Sequence, residues 1–352
     1  MVGIGTDIGG SVRIPAHFSG QAALKPTARR LSLQGFRPSV PGQEAIPAVA
    51  GPMAQHVEDL VLVLRELWTP EAWSRDADLV PVAFDEPEVR NNGKLKVGYY
   101  IDDGFVAASP ACQRAVLEAV EALRKDGHTV VEFKPPRIMD LMTSYYGLIT
   151  SDNCNTLGAQ LVGEVWEDYC STLITGVRLP YKLKQTISWA LRNIVGDKKA
   201  AAITGASRER SVSELWAMQS DRKKLRQDFF DAWSAQGEFD VVLTPVHVLP
   251  AVPHGAFKTI SFTCSYTLIY NVLDLPAGVL PITVVDAERD AYPSPPKGLL
   301  EKAARKHYVL QEQNGLPLGV QVVGKPFKDE TVLRAMRIIE GLVQFKQPKI
   351  NL

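Results

Sequence analysis

The spacing of apolar and polar positions changes several times along the chain, and each change marks an element. Val57, Leu60, Val61, Leu64 and Leu67 recur at the 3.6-residue period of an amphipathic helix. Leu95 to Tyr100 is an apolar run of strand length. Ser109-Pro110 then supplies an N-cap and a proline at the first helical position. Val116, Val120 and Leu123 form the buried face of the helix that follows, and Asp126-Gly127 ends it. Thr129 to Phe133 reads as the next strand, which completes a β-α-β unit and predicts an α/β fold with a mainly parallel sheet under helices. Farther on, Ser211-Val212-Ser213-Glu214 is a capping box. It opens a long helix with Leu215, Met218, Leu225, Phe229 and Trp233 along one face, ended by Gly237. Residues 239 to 244 and Gly319 to Gly324 read as strands, and Glu330 to Phe345 as a closing helix. With no internal repeat and no low-complexity linker, residues 1–352 are expected to form a single domain.

Five stretches lack this regularity or carry more than one reading. Residues 1 to 55 are rich in Gly and Pro and aperiodic, as expected of a site loop packed on a scaffold, with a strand over Val2-Gly3-Ile4-Gly5 at its start. Residues 70 to 93 hold many Pro, Asp, Glu and Asn and predict a surface excursion, and 286 to 313 a charged insertion with a short helix. Residues 137 to 175 are helical in pattern and rich in Tyr, Met, Leu and Cys, which suits either a channel for an apolar substrate or a helical core layer. In 179–195, Leu183, Ile187, Ala190, Leu191 and Ile194 fall at helical spacing with Trp189 at the margin. Lys182, Lys184, Arg192, Lys198 and Lys199 surround them with positive charge. Such a helix faces either a core or a membrane interface.

Composition narrows the function classes. Lysine plus arginine (39) balance aspartate plus glutamate (39), so nothing draws the whole chain toward nucleic acid, and no nucleic-acid partner is expected. The four cysteines, Cys112, Cys154, Cys170 and Cys264, are widely spaced and form no CxxC pair. Reduced thiols, an intracellular setting and no metal site are the expectation. No apolar run is long enough to span a bilayer. No GxGxxG or P-loop accompanies the β-α-β unit, so no nucleotide cofactor is expected.

The chemistry concentrates in Gly9-Gly10-Ser11. Paired glycines reach backbone angles closed to other residues and can aim several N–H groups at one point, as an oxyanion hole requires. Ser11 follows directly, with Asp7 and Arg13 flanking the turn as a pair that would hold it rigid. On these residues alone a plain glycine turn with Ser11 as a cap is an equal reading. The longer pattern Gly5-Thr6-Asp7-Ile8-Gly9-Gly10-Ser11-Val12-Arg13-Ile14-Pro15-Ala16, continued by Leu24-Lys25-Pro26-Thr27, resembles the signature of the amidase signature family of serine hydrolases. Phe239 to Pro245 and the segment Gly315-Leu316-Pro317 with Gly319-Val320-Gln321 and Gly324 resemble that family's late strands. Ser265-Tyr266-Thr267 with Tyr270-Asn271, Asp274, Pro276-Ala277-Gly278 and Pro281 resembles its fatty-acid amide hydrolase branch.

The resemblance implies a twisted, mixed, mainly parallel sheet with helices on both faces. It also implies a Ser-Ser-Lys triad with Ser11 as the nucleophile and an oxyanion hole from the N–H groups of Ile8, Gly9, Gly10 and Ser11. The bridging serine and the lysine would precede Met1, so the chain is expected to be the C-terminal portion of a longer enzyme. Lys25 precedes a proline and reads as structural, and His17 and His56 as ordinary polar residues. His247 and His254 lie on the proline-rich loop after the strand, from which either could approach the site, but without a paired acid. The implied activity is hydrolysis of (fatty-)acyl amides through an acyl-enzyme, without metal or organic cofactor. A small-amide amidase or transamidase subunit, a non-catalytic fragment that still binds acyl ligands, and an esterase-like hydrolase are the alternatives. The expected associations are an acyl amide substrate, a peripheral membrane contact through 179–195 and a homodimer. The expected setting is intracellular, cytoplasmic or peripheral on an internal membrane.

Overall fold

A computed structural model describes residues 1–166 and 168–347. Eight strands form one sheet: β1 (Val2–Asp7), β2 (Ala22–Lys25), β3 (Val49–Ala54), β4 (Lys96–Tyr99), β5 (Thr129–Glu132), β6 (Val241–Pro245), β7 (Ala277–Val284) and β8 (Pro317–Gly324). Their order across the sheet is β1-β3-β2-β7-β8-β6-β4-β5. The helices that carry the architecture are α1 (Arg13–Ser19), α2 (Val57–Leu67), α3 (Pro110–Lys125), α4 (Ile138–Ile149), α5 (Tyr181–Ala190), α6 (Lys198–Ala206), α7 (Val212–Gln236), α8 (Ser265–Val272) and α9 (Asp329–Val343).

The sheet is covered on both sides, and the two-residue alternation of β7 shows how. Val279 packs with Val12 and Ala16 of the α1 region, while the next position, Gly278, faces Met336 and Val332 of α9. The α/β class and the helical layers are as expected, and the direction of the strands is a correction. β4 runs parallel to β5 and to β6. The pairs β1–β3, β2–β3, β2–β7, β6–β8 and β7–β8 are antiparallel, so the sheet is mixed but mainly antiparallel. The cause is range: the β4-α3-β5 crossover is local and readable in sequence, whereas β2 meets β7 across some 250 residues, as in Leu24 opposite Gly278.

The first 55 residues are also more ordered than their aperiodic pattern suggests, holding β1, α1, β2 and β3. β2 and β3 are buried on both faces, so no polar alternation announces them. The helices with strong local signals form where expected. α3 has Ser109 as its cap, accepting from Cys112 N–H, and α7 has both hydrogen bonds of the capping box. In the 137–175 stretch α4 and two further helices form, and residue 167 lies outside the described residues. The 70–93 excursion holds two short helices, Pro70–Arg75 and Glu86–Arg90.

Candidate active site

β1 delivers Asp7 to the end of the sheet, and the chain turns through residues 8–12 into α1. Asp7 is fully buried and is the hub of this turn. Its Oδ1 accepts from Gly10 N–H (2.8 Å) and from Asn271 Nδ2 (2.9 Å), and its Oδ2 accepts from Val12 N–H (3.2 Å). Arg13, also fully buried, donates to both oxygens through Nε (3.0 Å) and Nη2 (2.9 Å). Burial pushes the Asp7 carboxyl up, but the charge and hydrogen bonds of Arg13 outweigh it and hold the group well below the usual carboxylate range. The rest of the Arg13 guanidinium donates to Thr267 O (3.1 Å), Gln321 Oε1 (2.8 Å) and Asn271 Oδ1. Gln321 is held in turn by Thr244 Oγ1 (3.0 Å) and Tyr266 O (2.9 Å), to both of which its amide donates. A buried ion pair is worth having only when its remaining donors and acceptors are satisfied, and this one is saturated.

The peptide between Gly9 and Gly10 is fixed at both ends. Its N–H goes to Asp7, and its carbonyl accepts from the Thr267 hydroxyl (2.8 Å), which also lies 2.9 Å from Cys264 O. Gly10 has φ +121°, a conformation that favours glycine, and a Cβ there would sit 2.4 Å from Thr267 Oγ1. A Cβ on Gly9 would sit 2.6 Å from Tyr145 Oη and 2.8 Å from Leu268 Cδ2, so α4 and α8 close directly over the turn. Ser11 comes next and is exposed. Among the described residues no hydrogen bond engages the N–H of Ile8, Gly9 or Ser11. Gly10, expected among the oxyanion donors, has its N–H committed to Asp7 Oδ1 instead.

The other sequence candidates make no hydrogen bond to this turn, although the Lys25 charge acts on Asp7. Lys25 is buried on β2, donating to Pro26 O (3.2 Å), and no hydrogen bond joins it to Ser11. Burial pushes its ammonium down to about 8. His17 is buried and neutral in its bonding, with Nδ1 accepting from Gly319 N–H (2.9 Å) and Nε2 donating to Leu249 O (3.3 Å). His247 is buried against Thr263 Oγ1 (2.8 Å), while His56 and His254 are exposed. No cluster of three or more His, Cys, Asp or Glu side chains suited to a metal occurs among the described residues. Thr267, Asn271 and Gln321 are the site residues that local reading did not assign. All three sit inside the Ser265–Asn271 and Gly319–Gln321 motifs that carry the resemblance, which was their signal.

The Amidase family model matches residues 1–333. The chain belongs to the amidase family. Within it, fatty-acid amide hydrolase 1 of Sus scrofa is 36% identical over 349 residues, covering 97% of this chain and 59% of that protein. Fatty acid amide hydrolase 1 of Caenorhabditis elegans is also 36% identical, covering 98% of this chain and 60% of that protein. An acetamidase of Emericella nidulans is 27% identical, covering 95% and 58%. The chain thus spans about 60% of the length of these amidase relatives. A solved fatty acid amide hydrolase structure superposes with a TM-score of 0.81 at 28% identity, over 98% of this chain and 56% of that one.

Proposed function

We propose that this amidase-family chain carries the nucleophile and the oxyanion-binding turn of a serine amidohydrolase that acts on acyl amides. The observation that carries the reading is an exposed Ser11 on a clamped diglycine turn, with the N–H groups of Ile8, Gly9 and Ser11 unengaged. Ser11 Oγ attacks the amide carbonyl, and a tetrahedral oxyanion forms among those three donors. Its collapse breaks the C–N bond, the leaving nitrogen takes a proton, and an ester remains on Ser11. Water then hydrolyses the ester and frees the acid. The serine proton passes, in this reading, to the bridging serine and neutral lysine of the family pattern rather than to Lys25, which is buried on β2 with its hydrogen bond to Pro26 O. Removing one oxyanion donor costs on the order of a hundred- to a thousandfold in rate, so a turn held this rigidly has chemical value.

A fatty-acyl amide is the favoured substrate. Supporting it are the 36% identity to two fatty-acid amide hydrolases against 27% to the acetamidase, and the wall of Tyr145 and Leu268 beside the nucleophile turn. Peripheral membrane contact through 179–195 belongs to the same reading. Leu183, Trp189 and Ile194 are 46%, 59% and 72% exposed there. No helix among the described residues is long and apolar enough to cross a membrane.

Mass spectrometry after treatment with a fluorophosphonate, on a form extended upstream to carry the bridging serine and lysine, tests the nucleophile. One adduct is expected, and it should vanish in Ser11→Ala with the circular dichroism unchanged. An adduct retained by that variant removes Ser11 from the mechanism. Turnover of a dodecanoyl amide at a kcat/KM at least tenfold above that of acetamide supports the long-chain reading, and the reverse order favours a small-amide amidase.

A further inference from the structure

Four Ser/Thr-Pro dipeptides occur in the chain: Thr69-Pro70, Ser109-Pro110, Thr244-Pro245 and Ser294-Pro295. The fold accounts for three of them. The hydroxyls of Thr69 and Ser109 cap helices, accepting from Ala72 N–H (3.4 Å) and Cys112 N–H (3.4 Å). Thr244 is fully buried on β6, where its hydroxyl donates to Pro245 O (2.8 Å) and accepts from Gln321 Nε2 (3.0 Å). Ser294 has no such task. It is exposed, and among the described residues no hydrogen bond engages its hydroxyl.

The segment around Ser294 is open to a second protein. Residues 291–296 belong to no helix or strand, and among the described residues they take part in no backbone–backbone hydrogen bond. Near the serine the segment is fastened by two contacts. Arg305 Nη1 donates to Ser294 O, and Lys297 N–H donates to Glu301 Oε2 (2.6 Å). A stretch with so few backbone bonds opens locally at little cost. Pro295 also biases Ser294 toward extended geometry, the shape a chain takes in a binding cleft. Lys297 is exposed, and among the described residues its ammonium has no partner. Arg305, by contrast, is fixed in place: its guanidinium stacks 3.7 Å from the centroid of the Tyr292 ring and pairs with Glu301 on the helix Gly298–Arg305.

We propose that Ser294 is a phosphorylation site for a proline-directed protein kinase, and that the attached phosphate is held by Arg305 and Lys297. In the transfer, the γ-phosphorus of ATP forms a bond to Ser294 Oγ and breaks its bond to the oxygen that leaves with ADP, while the serine proton passes to the kinase. A cleft that closes over the residue after the serine without offering an acceptor rejects an N–H there, because that N–H is buried unpaired. Pro295 has none to bury. Lys297, three residues past the serine, presents a free ammonium to an acidic patch. At the same spacing Thr69, Ser109 and Thr244 have Ala72, Cys112 and His247, so Ser294 alone joins exposure, proline and a lysine. The phosphate brings about −1.5 to −2 charges and three acceptor oxygens to a residue whose carbonyl Arg305 already touches. This site lies outside the chemistry of Ser11 and does not depend on it.

Incubation of the full, folded chain with a cyclin-dependent kinase and ATP, followed by tandem mass spectrometry, tests the assignment, with a synthetic peptide of residues 288–300 as reference. The folded chain should gain one phosphate, on Ser294, and Ser294→Ala should gain none. Lys297→Ala and Pro295→Ala should each lower kcat/KM for the kinase roughly tenfold or more, as loss of a charged contact or an unpaired N–H does. Circular dichroism checks that each variant is folded. A bare Ser294 in the folded chain overturns the proposal, whether the phosphate sits elsewhere or reaches Ser294 only in urea. So do rates unchanged in the Lys297 and Pro295 variants. Phosphorus NMR then reads the second ionisation of the phosphate. In the folded chain it should lie about half a unit or more below that of the phosphorylated peptide, because nearby cations favour the dianion. Equal values would overturn the part given to Arg305 and Lys297.

Discussion

At the scale of single residues, Asp7 decides whether the nucleophile turn exists. It is fully buried, receives five hydrogen bonds and shares its charge with Arg13. Asp7→Asn removes the charge and leaves the Arg13 guanidinium buried without a counter-ion. The cost of such a half-broken pair is about 3–5 kcal/mol. A urea midpoint lowered to match, together with slowed fluorophosphonate labelling of Ser11, is the expected result. An unchanged midpoint would mean that Asn271 and Gln321 carry the guanidinium alone. Asp7, Arg13 and the diglycine are adjacent in sequence, so their grouping was legible there. Thr267 was not, because its function is to accept Arg13 Nη1 on its carbonyl and hold Gly9 with its hydroxyl, and both partners lie more than 250 residues away. The committed N–H of Gly10 was equally invisible, since its bond to Asp7 Oδ1 is a feature of the folded turn and not of a residue type.

At the scale of elements, legibility followed the range of the forces. Helices with caps and a 3.6-residue stripe, such as α3 and α7, formed where the pattern put them. Short strands buried on both faces, such as β2 and β3, left no period to read. Helix α5 shows a third case. Its stripe was legible, but whether the stripe faces inward is a tertiary fact. Ile187, Ala190 and Leu191 are half-buried, while Leu183 and Trp189 stand out from the protein. The residue that turns inward is Lys184, whose ammonium donates to Val177 O and to Ser207 O (2.6 Å). A lysine used as an internal strut while leucine and tryptophan face outward suits an interfacial surface. Trp189→Glu should therefore reduce co-sedimentation with anionic vesicles roughly tenfold, the loss expected from one large apolar side chain. Unchanged sedimentation would assign the exposed stripe to some other contact.

At the scale of the whole molecule, buried titratable groups set the pH range of stability. Burial pushes His17 down to about 4 and His247 to about 3, from an ordinary 6.5. Both are neutral in the folded chain, whereas the unfolded chain protonates them below 6.5. Stability is therefore present above that value and lost as pH falls from 6.5 toward 4. Burial pushes Asp103 up to about 7, against the hydrogen bond from Ser265, so it acts in the opposite sense and loses stability as pH rises from 3.8 toward 7. His17→Asn keeps a side-chain acceptor for Gly319 N–H and removes one proton site. Its unfolding free energy should lose about 1.4 kcal/mol of slope per pH unit between 4 and 6.5, measured by urea titration at several pH values. A slope equal to that of the parent would show that His17 titrates normally. The clamp on the nucleophile also has a temporal side. Arg13 closes on Thr267, Asn271 and Gln321, separated from it by 254, 258 and 308 residues. Contacts of such range form late, because the loops they close are long. In refolding, helical circular dichroism should recover well before Ser11 becomes reactive to a fluorophosphonate. During synthesis the serine would stay inert until some three hundred later residues had left the ribosome, so that a half-made chain carries no live nucleophile.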